Sequence, residues 1–176
     1  MRTLPATFSL LALAMFGCGE APPTSPAEAR APALEKAADA SSSRSELLDA
    51  LRRMSARFHS EAQATKHGYV STVDCISSPV GGMGVHWLNE SLVDPVFDPL
   101  HPENLLFAPG PNGIPKLVGV EYLVINVGQP APAFGSQAFD VGGTPVPVPH
   151  WSLHVWFWKD NPSGLFAAFN PDVSCD

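Results

Sequence analysis

Glu121 stands in the run Leu117-Val118-Gly119-Val120-Glu121-Tyr122-Leu123-Val124-Ile125, where both alternating sets of side chains are otherwise apolar or small. Such a run describes a central strand buried on both faces. An isolated carboxylate there carries a prohibitive desolvation cost, so it must be paired, protonated or bound to a cation. Basic partners are few, because residues 68–176 hold only Lys116 and Lys159. Histidines meet the need. His86 lies within Gly84-Val85-His86-Trp87-Leu88, and His150 and His154 stand in the run from His150 to Trp158. Neutral imidazole with one carboxylate is a common ligand set for zinc, copper or iron, and it leaves a position open for water or substrate. His150 and His154 share a face of an extended strand but lie ~13 Å apart at about 3.3 Å per residue, so a straight strand cannot bring both to one ion. The ligand set read from the sequence is therefore His86, Glu121 and His154, with His150 as the alternate. Trp156 and Asn161 are candidates to steady those ligands from behind. An ion held this way would activate water or O2 and leave the spare histidine as acid or base. A Glu hydrogen-bonded to a His also satisfies a core with no ion, and no fixed-spacing motif such as H-E-x-x-H separates the two readings.

Other chemistry is absent at the motif level. There is no G-x-S-x-G elbow, no G-K-S/T phosphate loop, and no C-x-x-C or C-x-x-C-H. Gly81-Gly82-Met83-Gly84 reads as a flexible loop entering a strand, and Asn161-Pro162-Ser163-Gly164 and Asn170-Pro171-Asp172 as turns. Trp151, Trp156 and Trp158 could stack a ligand, but aromatic strand residues more often belong to a core or a cross-strand pair.

The elements that would position these groups are an α+β domain over residues 44–176. Ser43-Arg44-Ser45-Glu46 has the form of a capping box, and Leu47, Leu51, Met54, Phe58 and Ala62 follow at helical spacing. One N-terminal amphipathic helix is predicted, ending near Lys66, His67 and Gly68. Arg52, Arg53 and Arg57 then form its wet face. Beyond Gly68 the texture changes to short β-rich runs at 84–88, 117–126, 151–159 and 165–169, cut by Gly, Pro and Asn-Pro. The helix should pack on a mainly antiparallel sheet or a partly closed β-barrel. About 130 residues suffice for one core and not two.

The N-terminus reads as a targeting segment. Arg2, the apolar run Phe8 to Phe16 and Gly17 have the three parts of a signal peptide, 1–17. Met15-Phe16-Gly17-Cys18 resembles the lipobox of bacterial lipoproteins, which implies that Cys18 carries lipid; the alternative reading makes Cys18 the last residue of an ordinary signal peptide. Residues 18–43, Ala-, Pro- and Ser-rich with almost no large apolar side chain, read as a disordered linker, reaching roughly 25 to 30 Å as a coil of about 25 residues. The chain has three cysteines. Lipid on Cys18 leaves Cys75 and Cys175 to pair in an oxidising compartment, and closing a loop of about 100 residues contributes up to ~4.7 kcal/mol in the chain-entropy treatment.

Charge bounds the partners. The formal net charge is −7, and residues 68–176 carry ten Asp or Glu against two lysines. Such a surface repels a phosphate backbone and an anionic membrane, so nucleic acid is not an expected partner and the membrane is reached through the lipid anchor alone. The expected location is the cell envelope, outside the cytoplasm.

From about Gly68 to Cys175 the chain resembles an exported bacterial family of uncharacterised proteins. The resemblance rests on Met83-Gly84-Val85-His86-Trp87, Pro102-Glu103-Asn104-Leu105-Leu106, Val120-Glu121-Tyr122, the Leu153 to Trp158 run, Asn161 to Phe166, and Asn170-Pro171-Asp172-Val173-Ser174-Cys175. Val85 and Trp87 stand where that family has tyrosines. The resemblance implies a fold unit and names no activity. Two readings follow from the sequence: a metal-binding domain centred on His86, Glu121 and His154, or a non-catalytic envelope lipoprotein whose acidic, aromatic surface takes a partner or small ligand.

Overall fold

The computed structural model describes residues 26–143 and 146–175, so the signal peptide and Cys18 lie outside the described residues. The chain divides into two units, Met1–Glu35 and Lys36–Asp176. Of the first, residues 26–35 are helical. The second is α+β, and the site lies within it.

Helix α1 (Pro26–Ser55) begins well before the expected start, so the segment expected to be disordered is helical from Pro26 onward. Its alanines, with Glu and Lys between them, are strong helix formers, and Pro at the first position has the right φ at no hydrogen-bond cost. Ser43 therefore sits inside the helix and caps nothing. The helix also fails to run on to Gly68. It gives way to a 3-10 turn, Ala56–Phe58, and a second helix α2 (Glu61–Lys66). The break has a local cause: Ser60 is extended and its side chain accepts from the Gln63 backbone N–H, so Ser60-Glu61-Ala62-Gln63 is the capping box in use. Consequently Ala64, not Ala62, is buried. Leu51 and Phe58 reach the core fully, each contributing roughly 1.5–3 kcal/mol by burial. No helix among the described residues is long and apolar enough to cross a membrane.

The sheet is a curled, six-stranded antiparallel half-barrel. Its strands are β1 (Val70–Ser78), β2 (Gly81–Leu88), β3 (Asn104–Pro109), β4 (Pro115–Ile125), β7 (Asp140–Val141) and β8 (His150–Trp156), in the order β1-β2-β3-β4-β8-β7. A separate two-stranded hairpin pairs β5 (Ala133–Phe134) with β6 (Gln137–Ala138). As its composition requires, β4 is interior, flanked by β3 and β8. Gly81 to Gly84, expected as a loop, belong to β2. Residues 165–169 form no strand; Leu165 accepts the Trp156 N–H through its carbonyl, in a segment of turns.

Period-two alternation separates the two faces of this sheet. Val120, Tyr122, Val124, Leu153 and Val155 join Leu51, Phe58 and Phe134 in the main core. The opposite face carries His86, Glu121, Ser152 and His154, with a smaller apolar cluster of Leu106, Ala108, Val118, Trp156 and Val173 beside them. A Cys75–Cys175 disulfide and a bridge between Gly82 and Asn170 clamp the C-terminal segment onto the β1–β2 edge.

Candidate metal centre

Register brings the three predicted ligands together. Glu121 on β4 lies directly opposite His154 on β8 and opposite Asn104 on β3. His86 on β2 pairs with Leu106, one step along β3 on the same face. Four adjacent strands thus project into one spot. His86 Nε2 is 3.4 Å from one Glu121 carboxylate oxygen and His154 Nε2 is 4.0 Å from the other. One ligand atom from each residue lies within 4.8 Å of the other two. A tetrahedral ion with ligands at about 2.1 Å separates neighbouring ligand atoms by about 3.4 Å, so small side-chain rotations close the group around an ion.

Two residues that sequence reasoning missed hold the carboxylate. Asn104 Nδ2 donates to one Glu121 oxygen at 3.2 Å, and Ser152 Oγ donates to the other at 3.1 Å. Each oxygen keeps a free direction toward a histidine. Groups of this kind fix a ligand's orientation and commonly matter to affinity almost as much as the ligands. Period-two alternation from His154 points to Ser152; nothing local points to Asn104, because its role depends on which strand lies next to β4.

The electrostatics suit a cation. His154 is 5% exposed, and burial lowers its pKa to about 4. Burial likewise lowers that of His86, partly opposed by the Glu121 charge. Both rings are therefore neutral near pH 7, the form that ligates a metal. Burial raises the pKa of Glu121, so its ionised form lacks sufficient compensation from the protein alone. Among the described residues His154 Nε2 and His86 Nδ1 are buried with no hydrogen-bond partner, an arrangement that carries the desolvation cost of each group. His86, Glu121 and His154 could hold a metal ion.

The remaining candidates sit elsewhere. His150 shares the face and lines the same cavity, but lies outside the three-residue group. Its Nδ1–H donates to the Val148 carbonyl at 2.8 Å, and its ring fills the space beside Gly142 that a Cβ would need. Trp156 Nε1 donates to the Ala167 carbonyl at 2.7 Å, and Asn161 Nδ2 donates to the Phe169 carbonyl at 3.0 Å. These two hold the C-terminal turns in place, and neither donates to Glu121. Trp156 is 2% exposed, whereas Trp158 lies past the end of β8, which stops at Trp156 and not at residue 159 as expected, and it is partly exposed with its indole N–H given to Ser55.

A second buried carboxyl escaped sequence reasoning. Glu103, 1% exposed, accepts the Leu123 N–H at 2.9 Å at the point where β3 stops covering β4. Burial pushes its pKa up to about 8, with the Asp94 and Glu121 charges adding to the rise against the hydrogen bonds that it accepts.

Above the His–Glu–His group lies a cavity of about 650 Å³. Comparison of the chain with protein-family models, curated proteins and solved structures gives no match.

Proposed function

We propose that this protein is exported to the bacterial cell envelope, held there by lipid on Cys18, and binds a transition-metal ion through His86, Glu121 and His154. The observation that carries the metal reading is the convergence of three ligand atoms within 4.8 Å on strands β2, β4 and β8. Asn104 and Ser152 orient the carboxylate, and burial keeps the imidazoles neutral. Two nitrogens and one carboxylate suit zinc, copper or iron and leave a position open toward the cavity. For the location, support comes from the signal-peptide pattern, from Gly17-Cys18, and from the Cys75–Cys175 disulfide, a bond characteristic of oxidising compartments. The strongly acidic body argues for the lipid as the membrane attachment.

The test is the metal content of protein purified without a polyhistidine tag, read by mass spectrometry. Near-stoichiometric metal in the native protein, lost in a His86→Ala/Glu121→Ala double variant that retains its circular dichroism, supports the reading. Metal-free protein that cannot be reloaded, or full loading of the double variant, overturns it. Palmitate labelling in a bacterial host, abolished by Cys18→Ser, tests the anchor separately.

A further inference from the structure

The cavity above the His–Glu–His group has apolar walls that binding of an ion does not use. Its volume of about 650 Å³ falls within the range of small-molecule sites, roughly 300–1,000 Å³. Ile76, Leu88, Val93, Leu123, Ile125 and Val148 contribute apolar wall, while His86, Asn104, Glu121, Ser152 and His154 are gathered at one place. An apolar chamber with one convergent polar spot is the common architecture of a pocket for a ligand with a single polar head. Among the described residues Nε2 of His154, on a residue 5% exposed, has no hydrogen-bond partner, and it marks where the ion that receives that head would sit.

Charge selects the head. No lysine or arginine lines the cavity among the described residues, and Asp140 is its one charged side chain besides Glu121. Without an ion, the pocket offers an anion only acidic groups and neutral imidazoles. With a divalent ion, two positive charges, one Glu121 carboxylate and two neutral imidazoles leave a single positive charge. In a low-dielectric chamber a monoanion cancels that charge, whereas a dianion such as an alkyl phosphate at neutral pH leaves an uncompensated negative charge facing Asp140.

We propose that this cavity binds a small, mainly apolar molecule bearing one monoanionic oxygen head, a monocarboxylate, whose oxygen takes the open position on the ion. The inference rests on the metal reading above and names the ligand class of that site. The apolar body lies against Ile76, Leu88, Leu123 and Ile125, and the head reaches the ion between His86 and His154.

The experiment is calorimetric titration of octanoate into protein stripped with EDTA and into the same protein reloaded with one equivalent of zinc, with octyl phosphate as the dianionic comparison. Octanoate should bind the zinc-loaded protein at least about tenfold more tightly than the stripped protein, and more tightly than octyl phosphate does. Ile125→Trp, which narrows the chamber away from the ligands, should weaken octanoate binding without changing zinc stoichiometry. Zinc bound one to one with octanoate affinity unchanged by the metal would overturn this inference and leave the metal reading intact. Octyl phosphate binding as tightly as octanoate would overturn it too. Failure of the stripped protein to take up zinc would overturn both.

Discussion

Replacing Glu103 with Gln should reshape the pH dependence of stability in a window that can be stated in advance. Glu103 is buried and its pKa is pushed up from 4.5 to about 8, so the folded protein holds a proton that the unfolded chain releases. Its stabilising contribution is fully present below the unfolded value and is lost as pH rises through the folded one. His86 and His154 act in the opposite sense: their folded pKa values lie below 6.5, so their contribution is present above 6.5 and lost on acidification. The two effects oppose each other at mildly acidic pH. Between pH 6.5 and about 8 the loss from Glu103 is free of the histidines. One proton over about 1.5 pH units, at 1.36 kcal/mol per unit, amounts to about 2 kcal/mol.

Glutamine keeps an oxygen to accept the Leu123 N–H but cannot ionise, so Glu103→Gln removes this slope while retaining the bond. Urea unfolding followed by tryptophan fluorescence, in EDTA to remove metal linkage, measures it directly. Subtracting the native protein's stability from the variant's at each pH cancels the Glu121 contribution, which runs in the same direction as that of Glu103. The difference should move in the variant's favour by about 2 kcal/mol from pH 6.5 to 8. A difference that is constant with pH, or that moves toward the native protein, refutes the assignment of Glu103 as a buried acid.

Other substitutions probe the frame around the site. Changing Cys75 and Cys175 to Ser opens a loop with a sequence separation of 100 residues, which should cost roughly 3 to 5 kcal/mol in denaturant unfolding; no loss would show that the clamp contributes nothing. Gly119→Ala drives a Cβ into the Val155 carbonyl across the β4–β8 pair, two residues from Glu121, and should destabilise by about 1–3 kcal/mol while weakening zinc uptake. Unchanged melting of that variant would mean the strands separate freely there. Ser152→Ala removes one donor to Glu121 and should weaken zinc affinity by roughly tenfold with little change in melting temperature; unchanged affinity would remove Ser152 from the site.

The candidate ligands could be read from the chain because an ionisable group in a strand apolar on both sides is an energetic anomaly, and Glu121 is that anomaly. Its histidine partners were few enough to list. Asn104 and Glu103 were visible as residues without roles, since their work depends on β3 lying between β2 and β4, which no local pattern encodes. The edge strand β1 was missed because it is largely exposed and rich in Ser, Thr and Asp. Conversely, the apolar run 165–169 reads as a strand but spends its carbonyls on Trp156 and Asn161. The helical region misled for a related reason: spacing from Leu47 to Ala62 continues through Ser60, whose cap starts a new helix. Alanine content also outweighed the low hydrophobicity that marked 26–43 as coil.

The proposed site holds one metal ion among His86, Glu121 and His154. Anomalous diffraction at the zinc edge from crystals of the zinc-loaded protein tests it most directly. A single strong peak is expected at about 2.0–2.2 Å from His86 Nε2, His154 Nε2 and a Glu121 oxygen. A peak confined to the exposed histidines 59, 67 or 101, or none in the cavity, would contradict it.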